Sequence, residues 1–369
     1  MKVKTITCHD VYNVGASLQA YALAAYLREC GHEVEIIDYK PDYLDGHYRL
    51  FGVNNPRYDK PVLREIYTLL KLPGRVRARF GRRKREFDAF TGRYLPLTET
   101  RYTSNEQLKS DPPQADVYLA GSDQIWNPLF PNGKDPAFYL DFAPDDCVRA
   151  SYAASFAVDA IPEKLKKQIG SRIDRLDFVS VRERSGVEIC RELGRADAQQ
   201  VLDPVFLLDR AHWEALAKPV ELPESYVLLY DFDRNEKIGE FARGLARENG
   251  WKVYSVLPHE KADRCFQEAG PREFLSLMLH AQAVVSNSFH ATAFSLIFER
   301  PFWVFDREEH INARMRDLLG ALGLEHHGMT EVKNMSWINF DMVRQRLEEQ
   351  IAGSKAYLDK VLMEAKAHD

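Results

Sequence analysis

Val284-Val285-Ser286-Asn287-Ser288-Phe289-His290-Ala291-Thr292-Ala293-Phe294-Ser295-Leu296-Ile297 reads as a short buried strand, a polar turn and then a helix. Backbone N–H groups at a helix N-terminus attract anions. Ser286, Asn287, Ser288 and His290 crowd that turn. A histidine placed there can donate to an anion or move a proton near neutral pH. The same residues also read as a helix cap, Asn287 or Ser288, beside a packed histidine. Strand–turn–helix junctions in α/β folds are where ligands usually bind.

Similar junctions recur along the chain. Strands are expected at 2–8, 33–38, 116–120, 149–155, 178–181 and 200–202, with helices at 16–30, 163–176 and 185–193. A second series follows Asp203-Pro204. Its strands are expected at 226–230, 252–257, 283–286 and 302–305, and its helices at 237–249, 272–281, 290–298 and 313–320. Strands separated by helices imply parallel sheets built from βαβ units. The expected fold is therefore α/β, with two Rossmann-like domains facing a cleft. The boundary falls near residue 205, giving domains 1–205 and 206–369. A last helix, 341–367, has no strand after it and is expected to pack back across the junction.

With 369 residues, 45% hydrophobic and 28% charged, the chain reads as a soluble globular protein of two domains. A net charge of −5 gives no global basic field and argues against nucleic acid. No apolar run approaches the roughly 18 residues that span a bilayer. The five cysteines are scattered and form no C-x-x-C, which points to a reducing, cytoplasmic setting and not to a disulfide framework or zinc site. His326-His327 is an adjacent pair that does not converge on one ion, so no metal is expected. The first segment is too polar for a signal peptide. Lys71 to Arg85 carries eight basic residues and no acidic one, within a helical excursion at about 60–95. It reads as a solvated helix, or as a peripheral contact with anionic headgroups at the inner face of a membrane.

Further motifs supply candidate site residues. In the loop after the first strand, Asn13, Gly15 and Gln19 stand at a turn with one glycine, short of G-x-G-x-x-G, and Asp38 lies where a ribose-binding acid would. Asp123, Gln124, Trp126 and Asn127 follow another strand, combining carboxylate, amides and an indole, as sugar recognition requires, or else forming an Asx-type turn with a packed indole. Arg182 ends a strand and is aimed at the cleft for bidentate capture of phosphate or carboxylate, while Arg184 belongs to the surface. Arg314 opens a helix after the strand 302–305 and reads as a second anion clamp or as half of an ordinary salt bridge.

His9, the run Asn13 to Leu23, Gly121 to Asn127, Ser151 to Phe156, Ser180 to Glu183, Asp203-Pro204 and Ser288-Phe289-His290 together resemble the polysaccharide pyruvyl transferase family, from about residue 2 to 325. The resemblance implies a fold like that of GT-B glycosyltransferases. It also implies transfer of an enolpyruvyl-derived unit from phosphoenolpyruvate to two hydroxyls of one sugar in a cell-surface glycan or its precursor. Phosphoenolpyruvate is then a donor substrate, no cofactor is required, and the acceptor is a sugar or oligosaccharide, free or lipid-linked. The family pattern carries an arginine two positions before the histidine, where this chain has Ser288, so anchoring the donor falls to Arg182 or Arg314. His290 is the leading acid–base candidate and Asp123 the second. Two other readings share the motifs: a GT-B-type glycosyltransferase using a nucleotide sugar, and a catalytically degenerate glycan-binding protein.

Overall fold

A computed structural model describes residues 1–44, 80–307, 313–325, 328–329 and 338–367. β1 (Lys2–Ile6), β2 (Glu33–Tyr39), β3 (Leu97–Tyr102), β4 (Val117–Ala120) and β5 (Val148–Ser151) form a five-stranded sheet in the order β3-β2-β1-β4-β5. β6 (Ser180–Val181) and β7 (Gln199–Gln200) pair beside it, linked by bridges from Phe178 to Ala150 and from Val181 to Ala154. β8 (Tyr226–Tyr230), β9 (Lys252–Ser255), β10 (Arg264–Cys265), β11 (Ala283–Ser286), β12 (Phe302–Phe305) and β13 (Gly328–Met329) form a six-stranded sheet in the order β10-β9-β8-β11-β12-β13. The registered pairings are all parallel. β4, β8, β11 and β12 are buried at every position, because helices cover both faces of a parallel sheet.

The helices are α1 (Val14–Glu29), α2 (Arg82–Tyr94), α3 (Asn105–Ser110), α4 (Glu163–Ile173), α5 (Arg184–Glu192), α6 (Arg210–Leu216), α7 (Glu236–Asn249), α8 (Pro271–His280), α9 (Phe289–Ile297), α10 (Ala313–Leu322) and α11 (Phe340–Ala367). One apolar core runs through both halves, holding Val3 and Leu18 together with Trp213, Phe294 and Leu358. Trp213 is its keystone. Its ring centroid lies 5.9 Å from that of Tyr21 on α1 and 5.0 Å from that of Phe294 on α9, and its indole N–H donates to the Val205 carbonyl at 3.0 Å. Each such aromatic pair adds about 0.5–1.5 kcal/mol beyond its buried area.

The terminal helix packs back on the first sheet, as expected. The Tyr357 hydroxyl donates to the Ser151 carbonyl at 2.9 Å, and the Leu202 N–H donates to Ser354 Oγ at 2.9 Å.

The basic segment is described only in part. Residues 71–79 lie outside the described residues. In α2, Arg82 pairs with Glu273 at 2.5 Å, and Arg83 donates to the Tyr12 carbonyl at 3.0 Å and the Gln267 carbonyl at 3.2 Å. Lys84 pairs with Asp88 at 2.5 Å. Arg82 and Arg83 hold α2 against α1's leading loop and the second half of the chain, whereas Arg85 is exposed with no such contact among the described residues.

Candidate functional site

Parallel strands deliver their C-terminal ends to one side of each sheet, and here the two sets of ends meet. The loops after β1, β4, β8, β11 and β12 contribute to a cavity of about 130 Å³, lined by Asn13, Gly15, Asp123, Gln124, Tyr230, Phe232, Asn287, Ser288, Phe289, His290, Arg307, Arg314 and Met315. This is the position at which open α/β sheets bind ligands.

Helix starts fix the local geometry. Asn13 caps α1, its Oδ1 accepting from Gly15 N–H at 2.9 Å and Ala16 N–H at 3.2 Å. Ser288 caps α9, its Oγ accepting from Ala291 N–H at 3.4 Å. Gly15 is required by close approach. A Cβ there would stand 1.9 Å from His290 Nδ1, so the imidazole from the second half rests directly on the α1 backbone of the first.

Asp203, fully buried, sits behind the histidine. Arg182 is ion-paired with it, His290 Nε2 lies 3.6 Å away, and Val205 N–H donates to its Oδ1 at 3.1 Å. Burial alone would raise the Asp203 carboxyl, but the Arg182 guanidinium, with His290 and the Val205 N–H beside it, overcomes this and holds the group well below the usual carboxylate range. The Arg182 guanidinium stands 4.6 Å from the Phe289 ring centroid and that of Arg314 stands 5.6 Å from it, so two cations share one aromatic ring. Arg314 is pushed down to about 10, first by burial and then by Arg182, against the pull of Asp123, Glu183 and Asp203. Arg182 Nε and Nη2, Arg314 Nε and His290 Nε2 are buried with no hydrogen-bond partner among the described residues. Asp123, at a left-handed φ of 70°, reaches Arg182 Nη2 at 3.6 Å. Such strain in a non-glycine residue is typical of functional loops.

Several sequence expectations are corrected. Trp126 offers no face to a sugar. Its indole is buried, stacked on Tyr139 with centroids 5.3 Å apart, and donates to the Phe138 carbonyl at 2.9 Å. Asn127 is also buried and closes its own turn, accepting from Leu129 N–H at 3.0 Å and donating to Gln124 Oε1 at 2.8 Å. Gln19 is buried beneath the site, where it donates to Thr7 Oγ1 and accepts from Ser122 N–H, both at 3.0 Å. Arg182 stands behind the cavity wall, because Asp203 holds it there. Asn287 lines the cavity, yet its amide donates to Asp231 at 2.8 Å and Asp233 at 3.1 Å and accepts from Phe232 N–H at 3.0 Å, so it braces the loop after β8. Asp38 pairs with Arg101 at 2.7 Å and faces His9 at 3.5 Å, away from the cavity lining.

Met315, Tyr230, Phe232 and Arg307 line the cavity and escaped the sequence reading, which also gave Phe289 no role of its own. Tyr230 ends β8, Phe232 follows it, and Arg307 follows β12 with its guanidinium 4.7 Å from the Phe232 ring and 3.1 Å from Asp233. Their position just past strand ends was the available signal. Glu308, His310 and Asn312 lie outside the described residues, as do His326 and His327.

Against known proteins, the profile of the family described as polysaccharide pyruvyl transferase matches residues 13–309. No curated protein matches the chain in sequence. Among solved structures, it is similar to a putative UDP-N-acetylglucosamine 2-epimerase from Listeria monocytogenes, with 12% identity over 98% of this chain and 90% of that one and a TM-score of 0.49. It is also similar to E. coli heptosyltransferase WaaC, with 12% identity over 95% and 99% of the two chains and a TM-score of 0.39. A third is the glycosyltransferase SsfS6 of Streptomyces sp. SF2575, with 14% identity over 96% of each chain and a TM-score of 0.40.

Proposed function

The chain belongs to the polysaccharide pyruvyl transferase family, and from that premise we propose that it transfers a pyruvyl ketal from phosphoenolpyruvate to two hydroxyls of a sugar in a cell-surface glycan or its precursor. The observation that carries this reading is the pair of guanidinium groups, Arg182 and Arg314, gathered around Phe289 at the start of the helix that presents His290. Phosphoenolpyruvate carries a phosphate and a carboxylate, and guanidinium groups bind both as charge-assisted partners. Arg314, on the cavity wall, meets the donor directly. Arg182 adds its field from behind and holds Asp203.

The reaction balances without an added co-reactant. Two acceptor hydroxyl oxygens bond to C2 of the donor, and the bond from C2 to the phosphate oxygen breaks. Of the two hydroxyl protons, one goes to the methylene carbon, making a methyl group, and the other leaves with phosphate. His290 is assigned the proton transfer, and the Asp123 carboxylate on the cavity wall is the second acid–base candidate; such transfers contribute typically about 10²–10⁴-fold. A cavity of about 130 Å³ suits a small anion better than a nucleotide sugar, since clefts for larger ligands run to about 300–1,000 Å³.

The test is incubation with phosphoenolpyruvate and a panel of acceptor sugars. Phosphate release and a mass gain of one pyruvyl ketal on the acceptor are expected. Turnover of nucleotide sugars with no response to phosphoenolpyruvate would replace this reading with glycosyl transfer. Glycan binding without turnover of either donor would replace it with a binding role. His290→Gln keeps a donor but carries no proton, so it should bind phosphoenolpyruvate while product formation falls by about 10²-fold or more.

A further inference from the structure

Asp203 touches no cavity surface, yet it stands next to both groups assigned to the chemistry. It is fully buried, it is ion-paired with Arg182, and its Oδ2 lies 3.6 Å from His290 Nε2. That nitrogen is buried with no hydrogen-bond partner among the described residues. The other nitrogen, Nδ1, lies on the Gly15 side of the ring, and Gly15 and His290 both line the cavity. Nε2 therefore faces an anion, while the small exposed part of the ring belongs to the cavity wall.

We propose that Asp203 is a positioning residue that keeps the proton of neutral His290 on Nε2, leaving Nδ1 as the atom that takes and returns a proton in the cavity. A carboxylate beside one imidazole nitrogen stabilises the tautomer protonated there and steadies the imidazolium once it forms. Asp203 can play this part because Arg182 keeps it ionised despite its burial. The charged groups around the pair are Arg182 and Glu183 after β6, Asp123 after β4 and Arg314 on α10, with the Tyr152 hydroxyl also near Asp203. Among them Asp203 is the carboxylate that closes on Nε2. The arrangement also ties binding to chemistry, since one carboxylate orients both the guanidinium and the imidazole. The inference rests on the proposed pyruvyl transfer for the role of Nδ1, but the tautomer itself does not.

The experiment is nitrogen NMR of the full-length protein labelled with ¹⁵N-histidine, with His290 assigned by comparison with His290→Gln. At a pH above the titration of the ring, His290 should show a protonated Nε2 and an unprotonated Nδ1. A protonated Nδ1 in the wild type would overturn the proposal without any variant having to fold. In Asp203→Asn the bias should be lost, and kcat should fall by about 10²-fold or more, with the acid limb of the pH–rate profile displaced. An unchanged tautomer and pH profile in a folded Asp203→Asn would also overturn it. If the wild type shows the expected tautomer but makes no ketal from any acceptor, the pyruvyl-transfer reading fails and the positioning contact stands.

Discussion

Gly15→Ala tests whether the site is truly shared by the two halves. Gly15 is the second residue of α1, and the ring above it belongs to α9. An added Cβ would stand 1.9 Å from His290 Nδ1, 2.3 Å from Cε1 and 2.4 Å from Cγ. Ordinary carbon contacts lie at about 3.5–4.0 Å, so the ring or the helix must move by on the order of 1.5 Å. The ring has little freedom to do so, with Asp203 behind it and the Phe289 ring 5.3 Å away at 88°. Two energies oppose each other in the variant. Alanine is favoured over glycine in a helix by about 1 kcal/mol, and overpacking a tight contact costs about 1–3 kcal/mol. The net loss of stability should therefore be small, about 0–2 kcal/mol. Activity should respond far more, since a misplacement of about 1 Å in a catalytic group can cost about 10²-fold. Denaturant unfolding and phosphate release from phosphoenolpyruvate measure the two effects separately. A variant with undiminished turnover would refute the reasoning, because the approach of α1 to His290 would then have no part in the working geometry.

The two arginines should behave differently. Arg182→Ala leaves Asp203 buried without its cation and should cost about 3–5 kcal/mol of stability, read by urea unfolding, whereas Arg314→Ala should weaken phosphoenolpyruvate binding with a smaller loss of stability, read by calorimetry. Glu183 is held above its ordinary pKa, chiefly by burial and against the pull of Arg182. A carboxyl raised on folding is penalised once ionised, so wild-type stability should decline relative to Glu183→Gln as pH rises through the raised value and should recover below about 4.3, the unfolded value. Reversing Arg82 and Arg83 to Glu should speed hydrogen exchange in residues 264–273 of the second half, while Arg85→Glu, on an exposed position, should leave it unchanged.

The central strands were legible because helices bury both of their faces. Runs such as Val227-Leu228-Leu229 and Val284-Val285 then carry no polar alternation. β3, by contrast, is an edge strand of sequence Leu97-Thr98-Glu99-Thr100-Arg101-Tyr102, with three exposed positions in a row, and it carries neither the run nor the alternation that marks a strand. The cavity residues at helix starts, Asn13, Ser288 and His290, were found from capping chemistry and the turn after a strand. Trp126 was misjudged for a physical reason. A tryptophan in a polar turn offers the same residue types whether its ring faces a ligand or the core, and the stack on Tyr139, 13 residues further along the chain, is tertiary information. Asp203 gave no chemical signal beyond Asp203-Pro204, because its importance comes from partners 21 and 87 positions away in sequence.

What the fold stores at this site is unsatisfied hydrogen-bonding capacity. Arg182 Nε and Nη2 and Arg314 Nε are buried donors with no hydrogen-bond acceptor among the described residues. Leaving a buried donor unpaired costs about 1–3 kcal/mol, more for charged groups. The surrounding structure bears this cost through features already present: the aromatic face of Phe289 under two guanidinium groups, the Asp203 carboxylate, and a core continuous across both halves. An anion entering between Arg314 and the start of α9 would supply acceptors to such donors, in surroundings of low dielectric where these bonds are strongest. Part of the cost of folding the site is then recovered on binding. On the proposed reading the free protein is poised for a small ligand carrying negative charge, and His290 is held at the same place by groups from both halves. In the proposed reaction, donor binding and proton transfer then draw on one buried charge network.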